Sequence, residues 1–223
     1  MSSASMFTSS SRVHDPSNAK VRIGVLALQG AFIEHINILN SFDDVFSFPV
    51  KTAADCENID GLVLPGGEST TMGKLITIDP DLREKLESLV VKGVPMWGTC
   101  AGGKFPDPYL LRAMDIDVTR NYFGPQTMSF TTAIRPTDLM RFHNTKRLEA
   151  FDATFIRAPI ASSINSEDVH VLGTIVHEEK EVVVAVEQGP FLGTSFHPEL
   201  TMDDSWHKWW VNERVIPMKN TEA

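Results

Sequence analysis

The segment VRIGVLALQGAFIEHINILN, residues 21–40, establishes the class of fold. Its first part, Val21–Leu28, is a continuous apolar run rich in β-branched residues, which is typical of a strand covered on both faces. After a short turn, Phe32, Ile36 and Leu39 recur at helical spacing. A buried strand that leads directly into an amphipathic helix predicts a parallel sheet with helices on both sides.

The same alternation continues outward from this segment. We predict further strands at 45–50, 61–67 and 94–99, and two helices between Ser69 and Val91. The second half contains strand-like runs at 115–118, 127–134, 152–159, 170–177, 181–187 and 191–196, and a closing helix from Asp203 to about Ile216. The expected fold is a three-layer α/β sandwich around a central mixed, mostly parallel sheet. Trp206, Trp209 and Trp210 of the closing helix are expected in the core.

Composition limits the class of protein. A chain of 223 residues, 42% of them hydrophobic, buries one sizeable core, and a formal net charge of -9 argues against binding nucleic acid or an anionic membrane surface. No apolar run approaches the roughly 20 residues needed to cross a bilayer. Two cysteines cannot form a disulfide framework, so we expect a reducing compartment, the cytoplasm.

The domain organisation is expected to be simple. A single domain spans 21–216, and a short tail follows at 217–223. The Ser-rich residues 1–20 are interpreted as a disordered tail, with a weak organelle-targeting peptide as the alternative.

The first motif that carries chemistry is GTCAG, residues 98–102, which directly follows an apolar strand. This is the spacing of a nucleophile elbow with cysteine as the nucleophile, and the flanking glycines permit the tight turn. Backbone N–H groups beside the sulfur of Cys100 would favour the thiolate. Taken alone, the motif is equally compatible with an inert buried cysteine.

The second motif is SFHPE, residues 195–199, which provides a base and a group to orient it. His197 and Glu199 stand at i and i+2, so in an extended segment their side chains point the same way. Pro198 prevents the strand from continuing and leaves the pair at a strand end. Without the cysteine motif, two solvated side chains would be the simpler interpretation.

The third motif is LPGGEST, residues 64–70, again at the end of a predicted strand. The backbone N–H groups of Gly66 and Gly67 can face a developing oxyanion, and Ser69 or Thr70 can cap the helix that follows. An ordinary strand-to-helix turn is the alternative.

Together these motifs resemble a known family. LALQGAF, LPGGEST, WGTCAG, RNYFG, TFIRAP and TSFHPEL occur in the order found in the glutaminase subunit of pyridoxal 5'-phosphate synthase, the Pdx2/PdxT/SNO class I glutamine amidotransferases. The cysteine elbow and His-x-Glu are common to class I amidotransferases, whereas LQG, PGGEST and IRAP are typical of this branch. The resemblance implies their flavodoxin-like α/β fold.

The resemblance also implies a role for each matching residue. Cys100 would attack the side-chain amide of L-glutamine, with His197 as base and then acid and Glu199 orienting it. Backbone N–H groups, including the one after Cys100, would form the oxyanion hole, and an arginine fork suits the α-carboxylate of a free amino acid. The implied glutamine-binding positions are Gly66, Gly67, Glu68, Arg120, Ile156 and Arg157. No metal and no cofactor are implied.

A partner follows from the same resemblance. Ammonia would pass to a TIM-barrel synthase subunit of the Pdx1/PdxS/SNZ type, which builds pyridoxal phosphate (vitamin B6) within a hetero-oligomer. The glutaminase in this family is almost idle until the partner docks and completes the oxyanion hole. Gln29 and Gly30 are candidates for the docking side, with plain turn chemistry as the alternative.

The sequence departs from the family in three places. Pro106 and Pro108 lie where a helix should follow the nucleophile, and an interior proline costs about 3 kcal/mol or more. Pro125 stands where relatives carry arginine, and 135–147 is interpreted as a solvated loop. Two other functions therefore stay open: a catalytically impaired, non-catalytic binding subunit of the same synthase, and a cysteine hydrolase of another α/β branch.

The remaining candidates are not expected to carry chemistry. Cys56 lies in an acidic stretch that disfavours its thiolate, so we interpret it as structural. Four histidines show no spacing that would cluster them with a cysteine or a second carboxylate as metal ligands: His35, His170, His177 and His207.

Overall fold

A computed structural model of the chain describes residues 19–100, 113–143 and 146–222. The expected tail over 1–20, except its last two residues, lies outside the described residues, as do Pro106 and Pro108. Within these ranges the strands β1 to β13 are Val21–Leu26, Val45–Val50, Gly61–Leu64, Met96–Thr99, Ile116–Thr119, Phe130–Pro136, Arg141–Phe142, Lys146–Arg147, Phe151–Phe155, Ile160–Ile164, Val169–His177, Lys180–Gln188 and Phe191–Thr194. The α-helices α1 to α5 are Phe32–Leu39, Ser69–Ile78, Pro80–Val91, Ser205–Trp210 and Ile216–Glu222.

One large sheet carries eleven of these strands. Its first half has the order β2-β1-β3-β4-β13, and every neighbouring pair in it is parallel. The order continues β12-β11-β6-β9 with antiparallel pairs, and β10 and β5 add a short antiparallel branch beside β12. The prediction of an α/β fold with a mixed central sheet is confirmed.

The parallel strands are apolar on both faces, as the sequence predicts for strands covered by helices. Alternate side chains separate into two cores. Val63 and Trp97 join the core beneath α1 and α4, whereas Leu62, Leu64 and Met96 join the core beneath α2 and α3. No helix in the described ranges is long and apolar enough to cross a membrane.

The chain closes with a helix that is longer than expected. A π-helical turn, Val211–Val215, joins α4 to α5, and the helix continues to Glu222 rather than ending near Ile216. Residues 217–222 are therefore helical and not a tail. Lys219 stabilises this end because its Nζ donates to the Lys20 carbonyl at 2.7 Å and lies 2.9 Å from Asp60 Oδ2.

The three tryptophans of the closing helix have no exposed surface, which confirms that they belong to the core. Their rings pack against neighbouring aromatic side chains: Trp206 lies 4.9 Å from Phe196 and Trp210 lies 5.7 Å from Trp97, measured between ring centroids. This packing fixes α4 against the sheet directly below the strand that precedes Cys100.

The prediction of a solvated loop at 135–147 is wrong for part of its described residues. β6 extends through Pro136, and β7 and β8 form a small antiparallel pair. Met140 is fully buried and Leu148 almost so, and both join the large core. Met140 and Leu148 are surrounded by charged residues in the sequence and are too far apart to form a periodic pattern. The sequence therefore does not indicate that these two side chains anchor the segment.

An ion pair fastens the closing helix to the sheet, and it gives a prediction about stability. Arg214 contacts both carboxylate oxygens of Glu187 on β12, at 2.7–3.0 Å, and its guanidinium stacks 4.4 Å from the centroid of Trp209. Arg214→Ala would leave the carboxylate largely buried and unpaired, so we expect the free energy of unfolding in urea to fall by about 3 kcal/mol.

The control is Arg83→Ala, which removes a pair with Glu87 on the surface of α3 in which both side chains are about half exposed. Such pairs contribute less than about 0.5 kcal/mol. Equal losses in the two variants would contradict the assignment of Arg214 as an anchor.

Candidate active site

Each motif stands at the carboxyl end of one of the adjacent parallel strands. Gln29 follows β1, Gly67 follows β3, Cys100 follows β4 and His197 follows β13. Because parallel neighbours end at the same edge, residues distant in sequence meet at one rim of the sheet, where ligands bind in open α/β folds.

Cys100 occupies the sharp turn that the elbow motif predicts. Its φ is +46°, in the left-handed region that residues other than glycine seldom adopt. Its side chain is almost fully buried, and its Sγ lies 3.7 Å from the carbonyl oxygen of Ile156. The elbow therefore directs the sulfur inward, toward the loop after β9 and toward His197.

His197 and Glu199 form a direct pair, with Nδ1 of the imidazole 2.7 Å from Oε1 of the carboxylate. The two side chains do not meet through the extended geometry that the sequence predicts. Instead, Pro198–Leu200 is a 3-10 turn with His197 at its N-terminus, and the turn brings Glu199 back to the imidazole. The backbone N–H of His197 donates to the carbonyl of Thr154 at 2.9 Å, which fixes the start of the turn. Since Nδ1 faces Glu199, Nε2 is the ring nitrogen left for Cys100.

The pKa values of His197 and Glu199 are both strongly shifted. Burial alone would lower the pKa of His197, but its hydrogen bonds with Cys100 and Glu199 raise that pKa from 6.5 to about 10. Burial alone would raise the pKa of Glu199, but its contacts with His197 and His35 hold it far below its ordinary value. The arrangement favours an ionised carboxylate beside a protonated imidazole.

Gly66 provides the space in which the thiol and the imidazole meet. A Cβ at this position would lie 2.6 Å from Cε1 of His197 and 2.8 Å from Cβ of Cys100. The backbone N–H of Gly66 donates to the hydroxyl of Thr99 at 2.9 Å, so this donor is engaged inside the protein. Its role in an oxyanion hole stays a prediction, and the residue after Cys100 lies outside the described residues.

The turn after β1 supports the loop that contains Gly66 and Gly67, the glycine loop. Oε1 of Gln29 accepts a hydrogen bond from the backbone N–H of Glu68 at 2.7 Å. Gly30, with φ +93°, approaches so closely that a Cβ there would lie 1.9 Å from the carbonyl oxygen of Gly66. Only glycine fits this contact.

Glu68 caps helix α2 in place of Ser69 or Thr70, which were the expected caps. Its carboxylate accepts from the backbone N–H groups of Thr70 and Thr71 and from the hydroxyl of Thr71. The bonds from Thr71 are the main reason that its pKa falls to about 2. Glu68 is therefore ionised at neutral pH, at the mouth of the cleft.

A cleft of about 480 Å³ opens over the thiol. Gly66 and Glu199 do not line it: Gly66 lies behind the imidazole and Glu199 contacts His197 from below. The other seven of the nine residues predicted for catalysis and glutamine binding do: Gly67, Glu68, Cys100, Arg120, Ile156, Arg157 and His197. Gln29, Asn121 and Gln126 also line it. No group of three or more His, Cys, Asp or Glu residues within the described ranges could hold a metal ion.

Sequence reasoning missed three residues around this site. Thr99 holds the glycine loop through its hydroxyl, and His35 and His207 lie behind Glu199. A signal for His35 was present, because it falls on the apolar stripe of α1 at i+3 from Phe32. The spacing of metal ligands gives no information on a histidine that acts as a buried polar group.

Cys56 has the character expected of a structural cysteine. Its side chain is buried, and burial is the main cause that raises its pKa from 9.0 to about 11. The acidic neighbours Asp55 and Glu57 contribute less.

The fold and the site define a glutamine amidotransferase. A crystal structure of a glutamine amidotransferase is 33% identical to this chain, covers 85% of it and 96% of its own length, and superposes with a TM-score of 0.70. The chain belongs to the SNO glutamine amidotransferase family, whose sequence model matches residues 25–216.

Two relatives show how similar the chain is to other members. An uncharacterized glutaminase of Schizosaccharomyces pombe is 69% identical, over 98% of both chains. The pyridoxal 5'-phosphate synthase subunit PdxT of Clostridium botulinum is 36% identical, over 87% of this chain and 98% of its own.

The tight contact at Gly66 gives a prediction about reactivity. Gly66→Ala would push the imidazole away from the thiol, and a misplacement of about 1 Å can cost roughly 100-fold in rate. We expect alkylation of Cys100 by iodoacetamide and glutamine hydrolysis to slow by that order. Gly189→Asn is the control, because a Cβ at this positive-φ position meets nothing within 4 Å and asparagine tolerates the conformation. Unchanged labelling in Gly66→Ala would contradict the close approach.

The raised pKa of His197 gives a prediction about stability and pH. The folded chain retains on His197 a proton that the unfolded chain releases near pH 6.5. This proton stabilises the fold below about pH 6.5, and the stabilisation is lost as the pH rises through about 10. The free energy of unfolding of the parent chain minus that of His197→Gln should therefore decrease across this range in urea titrations.

The subtraction removes the contributions of groups that do not contact His197, including Cys56, whose pKa is also raised. A difference that stays constant or grows with pH would show that His197 is not held as the imidazolium.

Proposed function

We propose that this chain hydrolyses L-glutamine to L-glutamate and ammonia, with Cys100 as nucleophile, His197 as general base and acid, and Glu199 as the group that orients His197. The observation that carries the proposal is the continuous contact from the elbow cysteine, at the floor of a cleft, through the imidazole to an ionised carboxylate that is buried beneath it. Membership of a glutamine amidotransferase family supports the choice of substrate.

The reaction proceeds in two halves. The proton of the thiol already lies on Nε2 of His197 in the resting pair, so Cys100 attacks the amide carbon as the thiolate, and the imidazolium then donates this proton to the departing nitrogen. Ammonia leaves and a glutamyl thioester remains on Cys100. His197 next deprotonates a water molecule that attacks the thioester, and glutamate is released as the Cys100 thiolate leaves beside the imidazolium, which restores the resting pair. Glu199 stays ionised throughout and stabilises each imidazolium.

Charged residues at the cleft suit a free amino acid. The guanidinium groups of Arg120 and Arg157 would bind the α-carboxylate, since a guanidinium fork matches that geometry. The carboxylate of Glu68, with its pKa near 2, would face the α-ammonium group. Ile156 would line the path of the side chain toward the sulfur.

The ammonia is proposed to pass to a pyridoxal 5'-phosphate synthase subunit of the PdxS/SNZ TIM-barrel type, in the synthesis of vitamin B6. The names of the PdxT relatives support this partnership. Gln29 is well placed for the docking side, because it lines the cleft and holds the backbone of Glu68 next to the oxyanion glycines. A partner that moves Gln29 would alter the loop in which Gly66 now donates to Thr99.

A thiol nucleophile also agrees with the proposed cytoplasmic location, where thiols stay reduced. The alternative of a non-catalytic subunit rested on Pro106 and Pro108, which lie outside the described residues. Cys100, His197 and Glu199 keep the contacts that catalysis needs, so nothing in the described ranges favours that alternative.

Activity measurements test the proposal directly. With the synthase subunit present, Cys100→Ala should lower the rate of glutamate formation at least 1000-fold, because removal of the nucleophile eliminates the covalent path. The matched control, Cys56→Ala, should retain the parental rate. A reactive glutamine analogue should label Cys100 stoichiometrically in the parent chain.

Equal rates in Cys100→Ala and the parent chain would refute the proposal. A stable complex with the synthase in which Cys100 resists the label would instead favour the non-catalytic subunit.

A further inference from the structure

The series of polar contacts at the active site continues beyond Glu199. Nε2 of His35, on α1, lies 3.3 Å from Oε2 of Glu199, the oxygen that His197 does not use. Nδ1 of His35 lies 2.8 Å from Nε2 of His207, on α4. An unbroken series therefore runs from the thiol of Cys100 to His207, through groups supplied by β4, the turns after β13 and the two helices.

The two histidines have no exposed surface. Trp97 of β4 closes the space between them, with its ring at 6.0 Å from His35 and 4.8 Å from His207, both edge to face. His35 and Glu199 meet no other titratable group in the contacts of the described residues except His197 and His207. The positions of both rings are therefore set by packing, and solvent does not reach them.

The chemistry of the groups fixes where one hydrogen must lie. Nε2 of His35 and Oε2 of Glu199 are buried and make no hydrogen bond of ordinary geometry within the described ranges, and they lie 3.3 Å apart, so each is the group that can satisfy the other. An ionised carboxylate accepts and cannot donate, so Nε2 of His35 must carry the hydrogen. This holds for both the neutral and the protonated ring.

His207 completes the arrangement. Burial lowers the pKa of His207 well below 6.5, so its ring is neutral. With a neutral His35, Nε2–H of His207 donates to Nδ1 of His35, and His35 is then restricted to the tautomer that carries hydrogen on Nε2. His207 can therefore select the tautomer in which His35 faces Glu199 as a donor.

We propose that His35 is a positioning residue for the glutaminase reaction: its Nε2–H holds the carboxylate of Glu199 so that Oε1 stays on His197, and His207 fixes the tautomer of His35. The inference rests on the proposed function for its effect on rate, but the tautomer and the contact with Glu199 are properties of the resting protein.

The need for such a group follows from the burial of Glu199, whose side chain has no exposed surface. A buried carboxylate oxygen without a donor is costly, and the carboxyl group responds by rotating or by taking up a proton. Either response weakens its bond to Nδ1 of His197. The imidazole then loses both its orientation toward Cys100 and the charge that stabilises its protonated form.

The first test measures the unaltered site in the parent chain and uses variants only to assign signals. In the ¹⁵N-histidine-labelled full chain at neutral pH, long-range ¹H–¹⁵N spectra distinguish the tautomers, and single His→Gln variants assign the signals. The proposal expects a protonated Nε2 on His35, with or without a second proton on Nδ1. A His35 ring that carries its only proton on Nδ1 would overturn it, whether or not the chain hydrolyses glutamine.

The second test compares His35→Leu, which removes the donor, with His35→Gln, whose amide can both donate to Glu199 and accept from His207. In His35→Leu the pKa of His197, followed by NMR titration, should fall by at least one unit. With the synthase present, kcat should fall roughly 10- to 100-fold while the KM for glutamine changes less than about twofold, since His35 does not line the cleft. His35→Gln should recover most of the pKa of His197 and most of kcat. His170→Gln, at an exposed position, should match the parent chain in both quantities.

The outcomes separate this inference from the proposed function. An unchanged pKa of His197 in His35→Leu, or equal defects in the leucine and glutamine variants, would overturn the positioning role even in an active enzyme. A parent chain without glutaminase activity, but with the expected tautomer and pKa change, would refute the proposed function and leave the contact of His35 with Glu199 supported. If His35→Leu fails to fold, the tautomer measurement on the parent chain still tests whether His35 donates to Glu199.

Discussion

The parallel alignment of β1, β3, β4 and β13 is the constraint on which the site depends. Strand register sets which residues reach the rim, and Thr194 of β13 pairs with Thr99 of β4, directly before the elbow. A shift of one residue would turn each side chain to the opposite face of the sheet. The register thus explains how Cys100 and His197, almost a hundred positions apart, come into contact.

The strained and charged elements of the site are stabilised by their surroundings. A residue other than glycine in the left-handed region costs on the order of 1–3 kcal/mol, and Cys100 adopts this conformation between a buried strand and the loop held by Thr99. Glu199 is buried as a charge, and it has an imidazole on each of its two oxygens. The closing helix, through His207 and the tryptophans, therefore supports the chemistry as well as the core.

The glycine loop links the cleft with the turn after β1. Gln29 holds the loop from the cleft side, and Gly30 contacts the carbonyl of Gly66. A macromolecule that binds at this turn would act on the loop without touching Cys100 or His197. Such a coupling would suit the proposed transfer of ammonia to a partner subunit.

The sequence by itself determined the α/β class and the candidate reactive groups. Apolar runs and helical spacing are local properties, and the turn motifs of Gly66, Cys100 and His197 are contiguous, so both can be recognised without knowledge of long-range contacts. The strand Ile160–Ile164 was missed because its two serines give no apolar period, and it is formed by pairing with β5 and β12.

Only the tertiary structure decided which groups face one another. The anchoring of Met140, the continuation of the last helix to Glu222 and the meeting of His35 with Glu199 all join segments that are distant in sequence. Their partners are selected by packing in three dimensions, and no local pattern of residue types encodes that selection.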